Sequence, residues 1–232
     1  MRFSTFCVAS LAALWLLSVD AHATGMLPES SVVIVEGSDG EGAINLKNTD
    51  AFPVLLLTTL QDIEHDQEKL LIITPPAARV EPGKTQRVRF MLTTKTPLKT
   101  ERLKRVIFEG VPPQEKDGNV VRMTVRQNLP VIIRPAGLAR DEAPWKRLVW
   151  SFKEGILSVH NPSPYVVRLG VGVTTLPNRS NWMLPHAYIL PGQQLTLASE
   201  VKQTSSVANR VQISPATTWG FTVDSYEAPL VP

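Results

Sequence analysis

The sequence predicts an all-β protein of two sandwich-like units behind an export signal. Nineteen prolines and thirteen glycines in 232 residues, with no long Ala/Leu/Glu/Lys-rich run, favour strands and turns over helices. β-rich segments recur at the roughly 8 to 12 residue spacing of sandwiches. A break carrying two prolines and a glycine then separates two such series. With 43% hydrophobic and 19% charged residues, the chain can build a core, and disordered, collagen-like and polytopic membrane classes are excluded.

At the N-terminus Arg2 precedes the apolar run Phe6 to Val19, and Ala21-His22-Ala23 supplies a small-x-small cleavage site. Residues 1–23 therefore read as a signal peptide cut after Ala23. The run falls short of the about 20 residues a span needs, so no membrane insertion is expected and the mature chain is exported and soluble. Cleavage removes Cys7, the only cysteine, and with it disulfide and thiolate chemistry. The net charge of +3 comes from basic residues interspersed with acids, which argues against nucleic acid as a partner.

The first unit, 24–136, is expected to hold strands at Val32–Val35, Ala43–Leu46, Val54–Leu60, Leu70–Ile73, Arg87–Leu92 and Leu103–Phe108. Turns at Asn48-Thr49-Asp50, Glu81-Pro82-Gly83-Lys84 and Lys116-Asp117-Gly118-Asn119 separate some of them, because Pro presets φ and Gly or Asn accepts positive φ. The longest candidate strand is Val120–Arg134. Val121, Met123, Val125 and Leu129 share one parity and Arg122, Thr124, Arg126 and Asn128 the other, giving one apolar and one polar face. Pro130 cannot donate to a ladder, so this strand belongs at an edge or carries a bulge there.

Residues 137–144 read as a linker, and 145–232 as a second unit with strands at Leu148–Phe152, Ile156–His160, Tyr165–Val173, Leu195–Ala198 and Phe221–Val223.

Signals for chemistry are absent. The mature histidines His65, His160 and His186 are far apart in sequence and lack metal-ligand spacings, so neither metal nor cofactor is expected. There is no Gly-x-Ser-x-Gly elbow, phosphate loop or dinucleotide fingerprint, and the carboxylates of Glu64 to Glu68 read as solvated loop charges. Only a carboxylate pair drawn from distant positions would make a hydrolase. The alternative to a protein-binding role is a two-domain β-sandwich adhesin or carbohydrate-binding module, which calls for an aromatic platform. Trp145, Trp150, Trp182 and Trp219 are too scattered in sequence to claim one.

Several stretches in order resemble the periplasmic pilus-assembly chaperones of the chaperone-usher pathway, the PapD-like family: Thr74-Pro75-Pro76 with Val80-Glu81-Pro82-Gly83, Val111-Pro112-Pro113, Ile133-Arg134-Pro135, Asn161-Pro162-Ser163-Pro164-Tyr165, Leu190-Pro191-Gly192 and Val223-Asp224. The resemblance implies two immunoglobulin-like β-sandwich domains in an L or boomerang, with a cleft between them and a buried charge cluster at the joint, matched here by Glu101, Arg134 and Asp224. It implies no enzymatic activity, pilin or fimbrial subunits and an outer-membrane usher as partners, and an open edge that a second copy would cap in a dimer. Val121, Met123 and Val125 match the positions at which the family's donor strand fills an incomplete subunit, in the mode of β-strand addition. The family's basic anchors for a subunit carboxylate fall on Ser31 or Val32 and on Pro130, none of them basic. Arg126 and the Ser31 hydroxyl are the candidate substitutes, with backbone N–H groups as the alternative. The short connection from Val111 to Val120 resembles the short-loop branch.

Overall fold

The computed structural model describes residues 25–94, 96–113, 124–199 and 208–231. The expected signal segment and its cleavage site, residues 114–123 with the expected turn Lys116-Asp117-Gly118-Asn119, and the donor positions Val121 and Met123 lie outside the described residues.

Among the described residues, alternation of apolar and polar side chains builds the first domain from nine strands: β1 Met26–Pro28, β2 Val33–Glu36, β3 Glu41–Asn48, β4 Val54–Gln61, β5 Leu71–Thr74, β6 Ala77–Val80, β7 Thr85–Leu92, β8 Arg102–Val111 and β9 Arg126–Arg134. One layer runs β5-β7-β3 with β1 beside β3, the other β9-β8-β4-β6, and β2 links them. Ile44, Leu46, Val88 and Phe90 of the first layer pack on Val54, Leu56, Val106, Phe108, Val131 and Ile133 of the second, all buried. The chain changes layers between β1 and β2. There the Ser30 hydroxyl donates to the Val32 carbonyl and accepts from its N–H, closing a turn that ends the β1 ladder.

The second domain starts with a single 3-10 turn, Pro144–Arg147. Its strands are β10 Val149–Lys153, β11 Ile156–His160, β12 Val167–Leu169, β13 Gly172–Leu176, β14 Ser180–Met183, β15 Tyr188–Ile189, β16 Gln194–Thr196, β17 Ala198–Ser199, β18 Arg210–Ile213, β19 Pro215–Ala216 and β20 Tyr226–Val231. An eight-stranded sheet (β16-β11-β10-β20-β18-β13-β14-β17) and a three-stranded one (β15-β12-β19) enclose Trp150, Leu157, Val167, Leu169, Trp182 and Val211.

Two strand expectations are corrected. Tyr165–Val173 is split into β12 and β13, because Leu169 and Gly170 turn to pair with Ala187 and Ser214. Phe221–Val223 holds only an isolated bridge, Ala216 to Thr222, and the last strand forms later, where Tyr226–Val231 pairs with both β10 and β18.

Between the domains lies a third apolar cluster. Val32, Ile63, Leu103 and Ile132 of the first domain meet Val166 of the second, with Tyr188 and Leu190 packed against them. Excluding water here contributes to holding the domains together. The Ile63 corner is fixed from behind by Asp66, whose carboxylate accepts from Arg102 (2.5 and 2.6 Å) and from the buried Lys104 (2.8 Å). Burial pushes the Asp66 carboxyl up, but the hydrogen bonds and charges of Arg102 and Lys104 prevail and hold it below its ordinary value.

Candidate functional site: the open strand edge and the interdomain cleft

Parallel register places Glu36 of β2 directly beside Arg134 of β9. The buried Arg134 guanidinium donates to Glu36 at 3.0 and 3.3 Å and to Glu101 at 3.3 Å. Glu101 carries the connection into the second domain: its second carboxylate oxygen accepts from the Val166 N–H (2.9 Å) and its own N–H donates to the Pro164 carbonyl (2.8 Å). Desolvation pushes the Glu101 carboxyl up, opposed by the Val166 N–H and by Arg134. Of the three charges expected to cluster, Glu101 and Arg134 come together and Asp224 does not. Asp224 is exposed ahead of β20 and forms no ion pair among the described residues; Glu36, brought in by strand register, takes that place. Above the cluster, Ile34, Glu101, Arg134, Arg140, Trp219 and Phe221 line a cavity of about 220 Å³.

β9 is only half enclosed. On one side it pairs with β8 along its length, from Glu109 opposite Arg126 to Arg102 opposite Ile133. On the other side, β2 joins only at Val131. Residues 126–130 therefore have no strand on that side among the described residues, and Pro130, which lacks an N–H, sits where the second partner begins. Leu129, Val131 and Ile133 point into the first domain's core, and the same parity continues outward to Val125, an apolar side chain 52% exposed.

At the inner end of this edge two cations face the cleft. Val167 and Leu169 point into the second domain's core, so Val166 and Arg168 turn to the opposite face, toward the first domain. The Arg168 Nη1 is buried with no hydrogen-bond partner among the described residues. Burial, and then the charge of Arg105, hold the Arg168 guanidinium below the usual arginine range. Arg105 is itself held down by burial; it donates to the Asn128 side chain and carbonyl, both at 2.7 Å. Gly220 closes this corner with φ +86°, and a Cβ there would lie 2.2 Å from the Ser31 hydroxyl and 3.3 Å from Arg168 Nη1.

Ser31 thus stands beside the cleft cations. Arg126 does not: at the outer end of β9 it pairs with Glu109 (2.9 Å), four residues from Pro130. Arg105 and Arg168 went unnoticed in the sequence, although the parity of Tyr165–Leu169 held a signal for Arg168. Two of the mature histidines that lie far apart in sequence are brought together by the fold: Glu64, His65 and His186 converge, with candidate ligand atoms all within 4.8 Å of one another.

Residues 25–139 match the family described as "Pili and flagellar-assembly chaperone, PapD N-terminal domain", and residues 143–226 its C-terminal domain. The chain is 40% identical over 210 residues to the uncharacterized fimbrial chaperone YhcA of Escherichia coli K12, covering 90% of this chain and 92% of the relative. The chain belongs to the PapD-like pilus-assembly chaperones. This is a family of chaperones, and its pilus chaperones act in the periplasm. Among solved structures, the PapD-like fold recurs in the Salmonella enterica SafA pilin complex with the SafB chaperone (TM-score 0.72, 18% identity, 90% of this chain and 98% of the other). It recurs also in the E. coli chaperone DraB (TM-score 0.70, 19% identity, 89% and 98%). The two immunoglobulin-like sandwiches described above are this family's fold. No helix of the described residues is long and apolar enough to cross a membrane.

Proposed function

We propose that this chaperone binds pilus or fimbrial subunits in the periplasm by adding the free edge of β9 and the segment before it to an incomplete subunit sandwich, and passes them to an outer-membrane usher. The half-paired stretch 126–130, running from the exposed Val125 into the cleft, carries this reading. Main-chain hydrogen bonds supply affinity there, and Val125, with Val121 and Met123 outside the described residues, supplies apolar side chains on one parity. Covering the subunit's unpaired edges prevents their aggregation. The subunit's terminal carboxylate sits between Arg168 and Arg105, where the guanidinium fork of Arg168 holds a buried donor with no acceptor among the described residues. Ser31 lends a hydroxyl to that site. In this reading the signal peptide is cut after Ala23, and the domains span 24–136 and 145–232 about a 137–144 linker.

The test is periplasmic co-expression with a pilus or fimbrial subunit from the same organism. Changing Val121, Met123 and Val125 together to Ser is expected to abolish recovery of the complex. R168A/R105A, which leaves the strand intact, is expected to weaken capture by about 10²-fold or more, in line with the loss of a buried charge pair. Undiminished recovery in the triple variant rules out strand addition; undiminished recovery in the double variant rules out the carboxylate site alone.

A further inference from the structure

We infer that Glu64, His65 and His186 form a zinc site that ties the two domains together across their seam. Two imidazoles and a carboxylate, contributed by both domains, place their ligand atoms within 4.8 Å of one another. This donor set suits zinc, which takes three protein ligands and leaves a fourth position to water. Calcium and magnesium would instead demand six or more oxygens or an ordered water shell.

The backbone on both sides is held in advance. Glu64 and His65 occupy a tight turn closed by the Asp66 N–H on the Ile63 carbonyl (3.0 Å) and by the Gln67 side chain on the same carbonyl (2.7 Å). Ile63 is anchored in the interdomain cluster, and Asp66 is clasped by Arg102 and Lys104. Across the seam, the Ala187 carbonyl accepts from the Leu169 N–H (3.2 Å), and the His186 ring stacks on Tyr188 with centroids 5.1 Å apart and planes within 7°. The stacking presents an imidazole edge toward the turn at little further cost in side-chain entropy. Zinc ligands at about 2.0 to 2.1 Å lie roughly 3.4 Å apart in a tetrahedron. The remaining gap is closed by rotation of the Glu64 and His65 side chains, which are exposed and therefore free to turn. Tyr188 belongs to the same interdomain cluster, so a bound ion would fix the spacing of the seam beside Arg105 and Arg168.

Titrating ZnCl2 into the untagged, chelator-stripped mature chain by calorimetry is expected to show one zinc per chain at micromolar or better affinity, with a rise in melting temperature that EDTA reverses. MgCl2 is expected to do neither. H65A and H186A should each weaken zinc binding on the order of tenfold or more and lose the melting shift, while H160A, on β11 away from the site, keeps both. His65 is exposed, so H65A is not expected to disturb folding. Wild-type protein that binds no zinc at micromolar concentrations, or H65A and H186A that both bind as wild type does, would overturn the assignment. Neither readout depends on subunit capture.

Discussion

Arg134 and Arg168 are both largely buried guanidiniums at the junction of the domains, and they are satisfied in opposite ways. Arg134 has carboxylates on two sides, Glu36 and Glu101, and through Glu101 it is linked to the backbone of the other domain. Arg168 has a buried donor with no acceptor among the described residues and a second arginine nearby. The first arrangement is complete within the chain and stabilises the joint. The second costs stability in the free protein and becomes favourable only when an anion arrives, which is the profile of a binding site.

Breaking the complete cluster should have the largest effect on stability. Arg134→Ala leaves the buried Glu101 without its cation and is expected to cost about 3–5 kcal/mol, read as a lower urea midpoint. Arg168→Met is the opposite case: removing an unpaired buried donor should leave stability unchanged or raise it by about 1 kcal/mol. A large loss in that variant would mean that Arg168 already has a partner.

Acid sharpens the contrast between Asp66 and Glu101. The folded-state value of Asp66 is held below its ordinary 3.8, so its contribution is present above that pH and disappears as pH falls through the lowered value. Glu101 runs the other way. Its value is raised above 4.5, so its contribution is full below that pH and is lost as pH rises through the folded value. Asp66→Asn should therefore lower the urea midpoint at pH 7 and narrow the loss between pH 4 and more acidic conditions. The smallest effect is expected for Asp224→Ala, within about 0.5 kcal/mol of wild type in the same assay, since its carboxylate is exposed and forms no ion pair among the described residues.

Much of the first domain was legible. Val54–Leu60 and Arg87–Leu92 form strands within a residue or two of their expected limits, Leu103–Phe108 forms one that runs on to Val111, and Pro130 marks where β9 loses its second partner. The short strands β1, β6 and β15 were missed, because two to four residues carry too little alternation to stand out from turns. Asp224 was assigned by position along the chain, whereas the carboxylate that reaches Arg134 is Glu36, 98 residues away in sequence and adjacent only through the parallel β2–β9 register.

The amino-acid sequence by itself determined which residues alternate, where turns must fall and which edge a proline leaves open, because side-chain period and backbone dihedral limits are local properties. Only the tertiary structure decided which charges meet. Ion pairs and metal ligands depend on distances of a few ångströms across a seam of low dielectric, and those distances follow from how two folded domains pack. Arg105 with Arg168, and His65 with His186, are brought together by that packing, and nothing in their spacing along the chain announces it.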